Sequence, residues 1–113
     1  MHEFSLVQAL LARVEAEAAS HGASAVHGMS VRIGTLAGVE QSLFASAYEV
    51  CRRGTVCEHA PLEITSVAAR YACRACGREV AQGEVLECPA CGSPARLVEG
   101  DEIILDRVEL EVA

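Results

Sequence analysis

At 113 residues the chain has room for one domain, or for one small core with a metal-stapled appendage. Its 51% hydrophobic and 22% charged content is that of a folding globular protein and excludes disorder. The formal charge is −7, from 16 acidic and 9 basic side chains, all of the latter arginine, which lacks the electrostatic footprint of a nucleic-acid binder.

No apolar run approaches the ~18 residues that a membrane span needs, and the basic-then-apolar pattern of a signal peptide is absent. The expectation is a cytoplasmic protein with no membrane partner. In a reducing cytosol, six cysteines argue for metal binding or catalysis rather than disulfides.

From Phe4 to Ala19 the apolar residues Leu6, Val7, Leu10, Leu11, Val14 and Ala18 recur at steps of three and four, the stripe of an amphipathic helix. Ser5 and Gln8 have capping-box spacing, and Gly22 stands where a helix ends. Residues 25–34 alternate, with His27, Met29, Val31 and Ile33 on the core parity, which predicts a half-buried strand. After a turn from Gly34 to Gly38, Glu40 to Arg53 predicts a second helix, burying Leu43, Phe44, Ala47, Tyr48 and Cys51 and ended by Gly54. Cys57, in the loop beyond, reads as incidental, and His21 as a capping or solvated residue at a helix end.

Residues 62–70 predict a second strand, with Leu62, Ile64 and Ala68 on one parity, and residues 101–112 a long third one. In the latter the apolar parity shifts between Ile103/Leu105 and Val108/Leu110/Val112, which predicts a bulge near Asp106. The expected fold class is α+β: two helices with a three-stranded sheet, plus an inserted zinc-ribbon module at the tip of a hairpin-like connection between the last two strands. Residues 1–69 together with 99–113 form the α/β part, and residues 70–98 the inserted ribbon.

Cys73 and Cys76, then Cys88 and Cys91, form two C-x-x-C-G knuckles separated by eleven residues. Two residues between paired cysteines let a tight turn aim both sulfurs at one ion, and Gly77 and Gly92 permit the positive φ such turns need. Four thiolates saturate tetrahedral zinc and leave no position for a reactive water, so the site reads as structural. An iron–sulfur cluster or a redox dithiol pair are the alternatives. With zinc and four thiolates counted, the net charge becomes about −9. Arg70, Arg74, Arg78 and Arg96 stand close enough in sequence to offset that charge, or serve as solvated surface residues.

The chain opens Met1-His2-Glu3. A histidine there is usually a frayed, solvated residue. The terminal amine, the His2 backbone nitrogen and imidazole Nδ1 can nevertheless close two fused chelate rings in one plane, a donor set suited to Ni(II) or Cu(II). Glu3 or another histidine, His21 or His27, could complete it. Because α-amines and imidazoles titrate near ~7.7 and ~6.5, such a site would release metal on mild acidification.

The M-H-E-x-S-L opening, the R-I-G-x-L stretch at Arg32 to Leu36, and the paired C-x-x-C-G knuckles before a final strand resemble the hydrogenase nickel-insertion accessory family HypA/HybF over essentially the whole chain. The resemblance implies a nickel metallochaperone and not an enzyme, with Met1, His2 and Glu3 as the nickel site and His2 indispensable. It implies structural Zn²⁺ on Cys73, Cys76, Cys88 and Cys91, with Ni²⁺ as the transported ion. The implied partners are a nickel-pathway GTPase and the [NiFe]-hydrogenase large subunit, with urease maturation proteins in some organisms. The rival reading is a zinc-ribbon adaptor that mediates protein contacts without moving nickel.

Overall fold

In the computed structural model, residues 2–81 and 86–112 are described. The first helix, α1, spans His2–Ser20 and buries Val7, Leu10, Leu11, Val14 and Ala18, the stripe its 3.6-residue period demands. It starts earlier than the expected Phe4. Ser5 therefore lies inside the first turn, where its Oγ donates back to the His2 carbonyl at 2.9 Å instead of capping. At the other end Gly22, with φ +64, donates its N–H to Ala19 O, and His21 Nδ1 sits 2.9 Å from Glu17 O.

Strand β1, Ala23–Gly34, is the centre of a sheet ordered β2-β1-β6. Its neighbours are β2, Leu62–Val67, which runs parallel to it, and β6, Ile103–Val112, which runs antiparallel. The predicted hairpin-like connection between the last two strands is thus corrected: β1 lies between β2 and β6. The reason is burial. Val26, Met29, Val31 and Ile33 are all at most 4% exposed, so the most apolar strand takes the middle. The parallel β1–β2 pair is reached by a crossover through α2, Gln41–Cys51.

Three bulges interrupt the β1–β6 pairing, at Ser24 and His27 in β1 and at Asp106 in β6, and the last two set the faces of this sheet. In β6 the register steps from Arg107 to Leu105 opposite Ser30 and Val31, leaving Asp106 without a partner, as the parity shift predicts. Leu105, Val108 and Leu110 can then all pack against the core. In β1 the register steps from Val26 to Gly28 while β6 advances by one residue, which leaves His27 as the extra residue. His27 is therefore not on the core face but exposed, because the bulge inverts the parity beyond it.

Helix α2 begins at Glu40, whose side chain accepts the Ser42 N–H at 3.0 Å, and buries Phe44, Ala47 and Tyr48. Leu43 falls outside that stripe and is 47% exposed, against expectation. Ala68 likewise lies beyond the end of β2 and is exposed. The loop after α2 is locked down by the Ala60 carbonyl, which accepts from Tyr48 OH at 2.6 Å and Arg52 Nη1 at 2.9 Å. Cys57 in that loop is fully buried, so it is a core residue and not an incidental one, whereas Cys51 is only half-buried.

A second sheet, ordered β4-β3-β5, comprises β3 (Arg70–Cys73), β4 (Glu79–Val80) and β5 (Ala95–Glu99). It has its own small cluster of Cys73, Val80 and Cys88, separate from the main core. The two sheets meet backbone to backbone. A Cβ on Gly34 would lie 2.1 Å from the Gly100 carbonyl carbon, and one on Gly100 (φ +109) 2.5 Å from Ala69 Cα. Only glycine fits both places. Thr35 N–H to Val67 O (2.9 Å) and Leu36 N–H to Gly100 O (2.8 Å) close this junction. No described helix is long and apolar enough to cross a membrane.

Candidate metal centres

The four knuckle cysteines come together: one sulfur from each of Cys73, Cys76, Cys88 and Cys91 lies within 4.8 Å of every other. Cys73 and Cys91 sulfurs are 3.3 Å apart and those of Cys76 and Cys88 3.7 Å, too long for disulfides. A tetrahedron with Zn–S bonds of ~2.3 Å has edges of about 3.8 Å, so the donor set fits one such ion. The two halves are built alike. Gly77 N–H donates to Cys73 O at 3.0 Å and Gly92 N–H to Cys88 O at 2.8 Å, with φ of +75 and +72 at the two glycines. Cys73 and Cys88 form the buried side of the site and Cys76 and Cys91 the exposed side.

The electrostatics ask for a cation. The Cys73 thiol is held below its usual range first by the Cys76 backbone N–H, and Cys88 by that of Cys91. For Cys76 the Arg78 N–H lowers the value, but hydrogen bonding with Cys73 and Cys88 prevails and pushes it up to about 11. Four thiols this close cannot all ionise against one another; a divalent ion removes that repulsion. Arg70 does not serve here. It binds Glu99 at 3.1 Å and Glu79 at 3.4 Å, stitching β3 to both neighbours. Among the described residues no ion pair engages Arg74, Arg78 or Arg96.

At the other expected centre, Met1 lies outside the described residues. His2 is exposed at the start of α1, and Glu3 is half-buried beside it. As one of the first four helical residues, His2 has a backbone N–H with no intrahelical acceptor, so that nitrogen can bind a metal without breaking the ladder. Glu3 Oε2 accepts the Glu40 backbone N–H at 3.1 Å, and this bond is the largest cause holding its carboxyl below the ordinary range. The contact ties the start of α1 to the start of α2. Neither His21, at the far end of α1, nor His27, paired with Glu111, reaches this point.

Glu40 is the residue that sequence reasoning missed at this centre. It lies 37 positions from Glu3 and matches no local motif, and the only available signal was its place before the second helix.

Residues 1–110 match the profile of the family described as hydrogenase/urease nickel incorporation, metallochaperone, HypA. The hydrogenase maturation factor HypA of Nitrosospira multiformis is 45% identical over 112 residues, 97% of each chain, and that of Aquifex aeolicus 39% identical over 114 residues, 99% of each. The solution structure of the Ni metallochaperone HypA from Helicobacter pylori superposes with a TM-score of 0.76 at 28% identity, covering 98% of both chains. A second HypA solution structure gives 0.82 at 29% identity, covering 100% of this chain and 98% of the other. Two helices on a three-stranded sheet, the four-cysteine cluster beyond it and an M-H-E start thus occur together in a chain that belongs to the HypA family of nickel metallochaperones of hydrogenase maturation.

Proposed function

We propose that the protein carries Ni(II) on the Met1 amine, the His2 backbone nitrogen and His2 Nδ1, with Glu3 supplying a further oxygen, and releases it for assembly of [NiFe]-hydrogenase. The observation that carries this reading is the exposed His2 at the first turn of α1, whose backbone nitrogen no helical hydrogen bond occupies. Glu3 spends one carboxylate oxygen on Glu40 N–H, which leaves Oε1 for the ion and fixes the chelate against α2. Nitrogen donors in one plane suit square-planar Ni(II), and proton competition for them makes release easy.

Four sulfurs within 4.8 Å support Zn²⁺ as the structural ion, since the irons of a cluster spread their cysteines wider than one ion does. Bound there, zinc supplies a coordinatively closed staple and no catalysis. Residues 70–98 form the unit it staples, and residues 1–69 with 99–113 the nickel-binding part. The protein acts in the cytoplasm by ligand exchange, without turnover. Its partners are a nickel-pathway GTPase that drives release, the hydrogenase large subunit that receives the ion, and urease maturation proteins where urease is made.

The test is hydrogenase activity in cells whose own copy of this gene has been deleted. Wild type restores activity, His2→Ala does not, and excess nickel in the medium recovers the His2→Ala cells by mass action. Full activity with His2→Ala in nickel-limited medium would sink the reading.

A further inference from the structure

Strand β6 is an edge of the main sheet: β1 pairs with one side of it, and no described strand pairs with the other. Its residues Ile103, Leu105, Val108 and Leu110 pack on the main cluster yet stay half-buried, and Val112 is 57% exposed. In β1, which has a strand on each side, the core residues are at most 4% exposed. What β6 lacks is a neighbour, and its outer row of backbone N–H and C=O groups is a template for one.

We propose that a second copy of this chain supplies that neighbour, the two β6 strands pairing antiparallel about a two-fold axis at Val108 into one continuous sheet. The register follows from charge. Arg107 and Glu109 stand on the face away from the helices, opposite Ser30 and Gly28 of β1. With Val108 opposite its own copy, Arg107 meets Glu109 of the second copy and Glu109 meets its Arg107, as a two-fold interface requires. An axis at Arg107 or Glu109 would set that residue against itself, and one at Leu110 would set Glu109 against Glu111, so like charges reject each neighbouring register. Within one chain Arg107 Nη2 lies 3.6 Å from Glu109 Oε1, with the two side chains 64% and 58% exposed, a loose pair that exchanges readily for the one across the axis.

The apolar side agrees. Beyond the extra residue Asp106, the bulge that β6 already makes against β1 carries the pairing on as Leu105 with Leu110 and Ile103 with Val112. The row facing the helices is then apolar from end to end, and the half-buried residues of the edge cover one another. Between this row and α1 lies a cleft of about 280 Å³, walled on the helix side by Arg13, Glu17 and His21. Arg13 and Glu17 stand one turn apart with opposite signs, so the two-fold that matches Arg107 to Glu109 also sets opposite charges of the two α1 helices toward each other.

Pairing over so short an edge buries little area, so the association is weak and depends on concentration. Sedimentation equilibrium of the zinc-loaded full chain, up to about 0.5 mM, should show a reversible monomer–dimer equilibrium of the 11.9 kDa chain. Arg107→Glu alone and Glu109→Arg alone each set like charges together twice, and each should raise the dissociation constant at least about tenfold. Mixed in equal amounts, the two variants pair an acidic chain with a basic one, and the mixture should dimerise as well as the wild type. Both substitutions are at exposed positions, and the amide NMR spectrum of each dilute variant reports its fold. A wild type that stays monomeric, single variants that dimerise as well as the wild type, or a mixture that associates no better than its components would overturn the proposal.

Discussion

Cys57 lies in a loop between Val56 and Glu58, yet its side chain is as buried as any in the core. Burial pushes its thiol from 9.0 up to about 11, with the nearby Glu15 charge adding to the effect. A raised folded value means that this group favours the fold fully below pH 9, where both states are protonated, and that its contribution is lost as pH rises toward 11. The full loss amounts to roughly 3 kcal/mol. Denaturant unfolding at pH 8 and pH 10.5 should therefore show a larger drop for the wild type than for Cys57→Ala. Equal drops would place the thiol outside the core. Tyr48, pushed up to about 12 mainly by burial, adds a further loss above pH 10 in both proteins. Nothing in the local sequence announced this burial, because Cys57 is held by Tyr48 and Arg52 bonding to Ala60, a closure that no periodic pattern records.

The elements that were legible from sequence are those whose signals are local. Each knuckle is a five-residue instruction, and each helix stripe repeats every three or four residues, so both could be read directly. Even the Asp106 bulge showed as a parity shift. The His27 bulge did not, since Gly28 and Ser30 carry no hydrophobic pattern that would betray it. Strand order also lay outside local reach, because it depends on which strand buries both neighbours. The Gly34–Gly100 junction is likewise a tertiary fact, and it makes a sharp prediction. Gly100→Ala forces a Cβ to 2.5 Å from Ala69 and costs roughly 2–4 kcal/mol, whereas Gly54→Ala, with φ +74 and nothing within 4 Å, costs about 1 kcal/mol. Thermal unfolding of the two variants decides this; similar losses would mean that the junction is not tightly packed.

At the scale of the molecule, two cores of unequal strength share one chain. The main cluster draws on both helices and all three strands of its sheet, whereas in the module from Arg70 to Glu99 the cluster among the described residues is Cys73, Val80 and Cys88 with Tyr71 and Ala95 around them. So small an apolar cluster cannot offset the entropy of ordering the segment, and the ion must supply the rest. A strong zinc chelator should collapse the amide NMR signals of residues 70–80 and 86–99 while those of α1, β1 and α2 stay dispersed. Survival of both sets would refute the staple, and loss of both would refute the independence of the main core.

On the proposed reading the four-cysteine module, inserted before β6, is a scaffold, and the ion that defines function is held at the N-terminus. The most direct measurement is a nickel titration of the zinc-loaded protein by calorimetry at pH 7.5 and pH 5.5, beside a version with residues added before Met1. At the N-terminal chelate one Ni(II) should bind at pH 7.5, with affinity lowered at least about tenfold at pH 5.5 as protons compete for the same nitrogens, and that site should be lost in the extended chain although His2 is intact. Equal binding by the free and extended chains at both pH values would contradict it.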